Sequence, residues 1–472
     1  MLRAIGRPGR TAHSGFRLVM DYCMSAQLRG FNFFAHIGGN FGLAVAARHT
    51  LAWLLSQRQP VCLRDANTGD PRFRLDHTYD TLVTHWPWGL PYDVNIFHLN
   101  PPEIDAFLAV EWQLLPIDQR MSIAVPFWEL PSLPPLWRDV LAEMDLVLAP
   151  TRFVQTAVQH SVPGARTLHF PIAIPTPAPA RPDRTGLGLP EQGLIFLSAF
   201  DVVSDMHRKN PWAAIEAFQA AFTAQEPVCL VVKLNNSSFL PEVKPQLDRL
   251  RQVAAADRRI VLVDRHLSQP DLFSLYASCD VFVSLHRAEG LGLILMEMMS
   301  LAKPVITTAW SGNMDFTNLD NACLVDYDMV RVQATLTPYQ DESARSEVLW
   351  ADPRVATAVA WMRRLYAEPT LRARIGQQAA WDMRQRAEAD RSATLAEIQR
   401  LLWSPEIQAG HPARARRMFQ RRIDGLTGTI RHAPRESLRR VAAVAREALA
   451  PGGAVAVESA TAFHEPDPKF RT

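Results

Sequence analysis

Short apolar runs alternate with longer stretches of helical periodicity through most of the chain. In the first part, strands are predicted near Phe31–His36, Val94–His98, Ile123–Phe127 and Leu146–Leu148, with a helical pattern such as Leu43–Leu55 between them. That alternation is the signature of βαβ units and a parallel sheet. The pattern breaks between Pro171 and Pro190, where proline and glycine recur too often for a helix interior or a central strand. This stretch reads as an extended interdomain linker. A second alternating region follows, with strands predicted at Leu194–Phe200, Val228–Leu234, Ile260–Val263, Val281–Leu285 and Pro304–Thr308. Its helices include Pro211–Phe222 and Pro270–Ser278, each with proline in the first turn, where no amide donor is lost. From about Val355 to Trp403 the pattern is purely helical.

The expected organisation is an N-terminal arm over 1–28, a first Rossmann-like domain over 29–170, the Pro-rich linker over 171–190 and a second Rossmann-like domain with bracing helices over 191–403. A tail fills 404–472. At 472 residues the chain is too long for one ordinary core, and a hydrophobic fraction of 48% supports packed domains rather than global disorder. The net charge of +2 gives no bulk electrostatic reason to expect a nucleic-acid partner. Cys23, Cys62, Cys229, Cys279 and Cys323 are scattered, odd in number and without a CxxC pair, which predicts reduced thiols rather than disulfides or a zinc site. No secretory signal or membrane-spanning run is recognisable, so a soluble cytoplasmic protein is expected.

The tail differs in composition. Between 414 and 440 it carries Arg414, Arg416, Arg417, Arg421, Arg422, Arg431, Arg435, Arg439 and Arg440 against Asp424 and Glu436. Pro434–Leu449 places Leu438, Val441, Ala445 and Ala448 on one helical face. Two readings stay open: a helix packed on its own protein, or attraction to an anionic membrane surface at the inner face.

The segment richest in chemistry is HRAEGLGLILMEMMSLAKPVITTAWSGNMDF, His286–Phe316. It follows the strand Val281–Leu285, turns at Glu289 and Gly290, and enters a helix at about Leu291. Such a turn offers free amides at a helix N-terminus beside the carboxyl edge of a parallel sheet, where ligands of open α/β sheets bind. Glu297 lies eight residues beyond Glu289, a rise of about 12 Å with a rotation back to within about 80°. The two carboxylates could therefore reach the sugar and ribose hydroxyls of one nucleotide-sugar, its diphosphate meeting the amides of Gly290 and Leu291.

This segment resembles the E-x7-E region of retaining glycosyltransferases of the family-four, group 1 type, which have the GT-B fold. The phrase LSQPDLFSLYASCDVFVSLHRAEGLGL, Leu267–Leu293, and the SGNMDF loop, Ser311–Phe316, are similar to the same group. The resemblance implies that Glu289 contacts the donor sugar and Glu297 the ribose, with Gly290, Leu291, Gly292, Ser311, Gly312 and Asn313 around the donor. In FDVVSDMHRKNPWAAIEAFQAAF, Phe200–Phe222, it makes Arg208 and Lys209 the cations for the donor diphosphate, although position 204, where many relatives carry arginine, is serine. In GFNFFAHIGGNFGLAVAARH, Gly30–His49, it places Gly39 and Gly42 across the cleft from the donor phosphates. Asn40 and Phe41 interrupt any GxGxxG dinucleotide fingerprint. In PFWELPSLPPLWRDVLAEMDLVLAPTRFV, Pro126–Val154, Trp128 and Glu129 stand where many relatives have a histidine. Glu129 is a candidate for orienting the acceptor, or else a cap or ion-pair member. His36 and His98 end strands facing the cleft and read either as functional or as structural.

The resemblance implies a GT-B architecture, two Rossmann-like doubly wound domains facing across a cleft. The implied reaction is metal-independent transfer, with retention, from a nucleotide-diphosphate sugar to a glycan or lipid-linked acceptor in cell-surface polysaccharide biosynthesis. No cofactor beyond the donor is expected. A non-catalytic scaffold of the same fold, or an epimerase or hydrolase acting on the donor alone, are the alternatives.

Overall fold

The long apolar runs of the sequence become buried parallel strands. The structure, a computed structural model, describes residues 30–66, 75–84, 90–111, 120–175, 180–238, 241–343, 345 and 347–407. The tail expected to be basic and amphipathic, Cys23 and the N-terminal arm lie outside the described residues.

The first sheet contains β1 (Phe31–Ala35), β2 (Val61–Asp65), β3 (Val94–His98), β4 (Met121–Ala124), β5 (Leu146–Ala149) and β6 (Thr167–His169), in the order β2-β1-β3-β4-β5-β6. All its pairings are parallel. Helices must then cover both faces, which is why these strands read as near-continuous apolar runs. Two of the polar exceptions pair with each other. Asn32 and Asn95 are register partners on β1 and β3, and Asn32 Nδ2 donates to Asn95 Oδ1 at 2.9 Å and to the Tyr92 carbonyl at 2.7 Å.

The second sheet repeats the design with β7 (Leu194–Asp201), β8 (Val228–Asn235), β9 (Ile260–Asp264), β10 (Val281–Ser284), β11 (Val305–Thr308) and β12 (Cys323–Val325), ordered β12-β11-β10-β7-β8-β9. Again every pairing is parallel. Helix entries follow local chemistry. Ser268 caps the helix Gln269–Ser278 by accepting from the Asp271 amide, with Pro270 inside its first turn.

Elements not predicted from the sequence are β2, β6, β12 and an antiparallel pair, β13 (Tyr327–Arg331) with β14 (Leu349–Pro353). The pair has mostly half-buried or exposed residues, so no apolar run announces it. The purely helical region resolves into Val355–Ala367, Pro369–Glu388 and Ser392–Leu402. The last of these returns towards the first sheet: Arg391, just before it, donates through Nε to the Pro171 carbonyl at 3.0 Å. Ile172 and Ile174 of the proline-rich connection are themselves buried. The four described cysteines are free and buried. Among the described residues, no helix is long and apolar enough to cross a membrane.

Candidate functional site

The backbone of the turn after β10 is held by three hydrogen bonds from two sides. The Glu289 amide donates to Ser311 Oγ at 2.8 Å, and the Gly312 amide donates to the Glu289 carbonyl at 2.8 Å. From the first domain, Thr151 Oγ1 donates to the Gly290 carbonyl at 3.0 Å. The layers are so close that side chains are excluded. A Cβ at Gly290 would stand 3.0 Å from the Trp128 carbonyl oxygen, and one at Gly312 would stand 2.2 Å from the Gly290 oxygen. Behind the turn, His286 is fully buried between Ser284 and Asn313, and burial pulls its imidazole down to about 4, so the ring is neutral.

The helix begins at Leu293, two residues later than expected, because Gly292 takes a left-handed conformation (φ 95°) as its N-cap. Glu289 and Glu297 nevertheless both line one cavity of about 610 Å³, within the range of small-ligand sites. Gly290, Leu291, Gly292, Gly39 and Gly42 also line it. Ser311, Gly312 and Asn313, expected beside the donor, instead lie behind the turn: they fix Glu289, Gly290 and His286 rather than forming the cavity wall.

Arg208 and Lys209 occupy a single helical turn, Met206–Lys209. Asp205, fully buried with φ 65°, organises it. One of its carboxylate oxygens accepts from the His207 and Arg208 amides; the other accepts from the amides of Thr335 and Leu336. Lys209 Nζ donates to Glu289 Oε2 at 2.6 Å. Burial alone would raise the Glu289 carboxyl, but Lys209, Arg208 and His286 outweigh it and hold the group at about 2, so it is anionic.

The Arg208 guanidinium reaches back to the serine at 204, its Nε donating to that carbonyl at 3.0 Å, while Nη1 donates to the Ala288 carbonyl at 3.0 Å. Glu129 of the first domain approaches Nη1 at 3.5 Å. Burial opposes the charge, but Glu129, Tyr339 and Glu289 raise this guanidinium above its ordinary value, so it stays protonated.

Glu297 contrasts with Glu289. Among the described residues no cation stands beside it; burial raises its carboxyl to about 7, against a smaller opposing hydrogen bond from Tyr276. A folded-state value above the ordinary 4.5 gives stability that is full below about 4.5 and lost as pH rises through about 7. The difference corresponds to roughly 3 kcal/mol. Glu297→Gln, which does not ionise, should therefore gain stability on wild type between about pH 5 and pH 8 in urea unfolding. Parallel pH profiles for the two proteins would remove Glu297 as a buried, uncompensated acid.

The two strand-end histidines part company. His36 lines the cavity and pairs with Glu103 at 2.9 Å. His98 is fully buried against Thr50, its ring lowered to about 3 by burial, and acts as a neutral core group. Residues with no motif to mark them complete the cavity. Lys233 and Asp201 sit at the carboxyl ends of β8 and β7, and burial brings them to about 8 and about 6. Tyr339 enters from the segment between β13 and β14. Among the described residues, no three His, Cys, Asp or Glu side chains are grouped as metal ligands would be.

Residues 199–335, which supply Arg208, Lys209, Glu289 and Glu297, match the family described as glycosyl transferases group 1. That segment is similar to a group 1 glycosyltransferase domain. The sequence matches no curated protein. In three dimensions, the chain is similar to a glycosyltransferase from Rickettsia africae (TM-score 0.56, 12% identity, covering 80% of this chain and 99% of that one). It is similar also to sucrose-phosphate synthase from Thermosynechococcus elongatus (0.53, 14%, 83% and 99%). A third is HepE of Anabaena in complex with UDP and glucose (0.50, 13%, 79% and 100%). The two six-stranded parallel sheets have the GT-B fold.

Proposed function

We propose that the transferase moves a sugar from a nucleotide-diphosphate sugar to a glycan or lipid-linked acceptor, with retention of configuration and without a metal. The observation that carries this reading is the convergence of Glu289, Arg208, Lys209 and Glu297 on one cavity between the two sheets. The fold-mate HepE is described in complex with UDP and glucose, which supports a nucleotide-sugar as ligand. Glu297 takes the ribose hydroxyls and Glu289 the sugar. Arg208, Lys209 and the amides around Gly290 and Leu291 meet the diphosphate, with Gly292, Gly39 and Gly42 permitting its close approach.

In the reaction, the bond from the anomeric carbon to the diphosphate oxygen breaks and charge builds on the departing phosphate. The acceptor oxygen then bonds to the same face of that carbon and passes its proton to the departing phosphate. Glu129, reaching the cavity from the first domain, orients the acceptor hydroxyl. Ser311, Gly312 and Asn313 serve by fixing the Glu289 turn. A role in cell-surface polysaccharide synthesis, with the arginine-rich tail on an anionic membrane at the cytoplasmic face, completes the proposal.

The test is calorimetric titration with UDP, GDP, ADP, dTDP and the parent nucleosides. One diphosphate should bind well. Lys209→Ala should weaken that diphosphate by about 10-fold or more, because it deletes a charge-assisted contact and leaves Glu289 less neutralised. The parent nucleoside should be little affected. No binding of any diphosphate, or equal losses for diphosphate and nucleoside, would overturn the reading.

A further inference from the structure

Arg208 already has a counter-ion, and it comes from the other domain. Its side chain is 3% exposed, and two of its nitrogens are committed to main-chain carbonyls. The nearest carboxylate is Glu129, 3.5 Å from Nη1, longer than a good charge-assisted hydrogen bond. The contact that does hold Glu129 is Tyr339: its hydroxyl donates to Glu129 Oε2 at 2.6 Å. Burial raises the Tyr339 phenol well above its ordinary value, so it remains a donor.

The Tyr339 ring is fixed on both sides. It stacks on Trp128, the residue before Glu129, at 5.5 Å and 16°, and carries the Arg208 guanidinium 5.1 Å from its centroid. Asp205 ties these parts together. The carboxylate that caps the Arg208 turn also holds the amides of Thr335 and Leu336, four and three residues before Tyr339.

With Arg208 and Lys209 set against Glu129 and Glu289, neither of these two cations presents an uncompensated charge to the cavity. A diphosphate needs that positive charge, and Glu289 is anchored by Lys209 and by its own backbone contacts. Glu129 is the partner free to exchange, because its firmest contact is to Tyr339 and not to the arginine.

We propose that Tyr339 is a positioning residue that holds Glu129 on the Arg208 guanidinium, so that a donor diphosphate binds by exchanging with Glu129, which then turns to the acceptor side still held by the tyrosine hydroxyl. This rests on the nucleotide-sugar reading and adds an order to it: donor before acceptor.

The test uses inorganic pyrophosphate, which needs no knowledge of base or sugar, titrated calorimetrically into the full-length wild type, Glu129→Gln, Tyr339→Phe and the double variant. Glu129→Gln should bind pyrophosphate at least about five-fold more tightly, since a competing charge beside the arginine is gone. Tyr339→Phe keeps both ring contacts and loses only the hydroxyl, so it should tighten binding by less. In the double variant the tyrosine effect should vanish, as it must for a residue acting through Glu129. Glu129→Ala carries the same expectation if the glutamine variant folds poorly. Unchanged or weaker binding after loss of the Glu129 charge overturns the exchange. A tyrosine effect that persists in full in the double variant overturns the positioning role. In both cases the nucleotide-sugar reading stands as long as nucleoside diphosphates bind. Failure of every protein to bind either pyrophosphate or a nucleoside diphosphate overturns the exchange and that reading together.

Discussion

Glu289→Gln should lower sugar transfer by about 100- to 10,000-fold while nucleoside diphosphate still binds. Lys209, Arg208 and His286 hold the Glu289 carboxyl at about 2 against the effect of burial, so at any working pH it presents a full negative charge to the cavity. An oxocarbenium-like sugar develops positive charge as the diphosphate leaves, and a fixed anion beside it acts mainly in the transition state. Glutamine keeps the shape, and the contacts that fix this turn run through the backbone, so the loss falls on charge rather than on architecture. Binding of the diphosphate should hold or tighten, because a carboxylate within 4.0 Å of Arg208 and 2.6 Å of Lys209 competes with it for the same cations. Steady-state transfer assays paired with calorimetry read both effects. Near-normal turnover in the variant would remove Glu289 from the reaction. A parallel loss of turnover and diphosphate binding would make it a binding group only.

Sequence reasoning reached this residue because its signal is local. An apolar strand, a turn and a helix place Glu289 and Glu297 by spacing alone, and both line the cavity even though Gly292 delays the helix to Leu293. Ser311, Gly312 and Asn313 were set around the donor by resemblance, and in the structure they are absent from the cavity lining. Their sequence pattern marks a loop beside the donor turn but does not reveal that the loop lies behind it, bonded to the Glu289 amide and to His286. Arg208 and Lys209 were legible as a basic pair, whereas their one-turn helix is too short to show periodicity. Asp205, which shapes that turn, is a single acidic residue whose partners at Thr335 and Leu336 are remote in sequence. Tyr339 was unreadable for the same reason: 210 positions separate it from Glu129, and it is presented by a hairpin whose strands carry no apolar run. Parallel strands with continuous apolar runs were found; the short strands β6 and β12 gave too few residues for any pattern.

The glycines of the donor turn offer a sharper test of this arrangement than its charged groups. Gly312→Ala adds one methyl group in a backbone conformation open to alanine, within the short helical turn Gly312–Asp315. That methyl would stand 2.2 Å from the Gly290 oxygen, 2.5 Å from its carbonyl carbon and 2.8 Å from the Glu289 oxygen, all main-chain atoms without a rotamer to yield. The turn must move, and it is also pinned from the first domain by Thr151 on the Gly290 carbonyl and by the Trp128 backbone beside Gly290. The expected cost is about 1–3 kcal/mol of stability from overpacking, with about 1 kcal/mol more if the Gly312 amide loses the Glu289 carbonyl. Turnover should fall by about 100-fold or more in the protein that remains folded, since a shift of about 1 Å in a reacting group suffices for that. Gly42→Ala is the stability control: its methyl meets only Leu293, at an ordinary 3.8 Å, so its unfolding midpoint should stay near that of wild type. If Gly312→Ala unfolds at the same denaturant concentration as Gly42→Ala and transfers sugar at the wild-type rate, the close stacking of the 289–290 and 311–312 backbones is not what holds Glu289 in place.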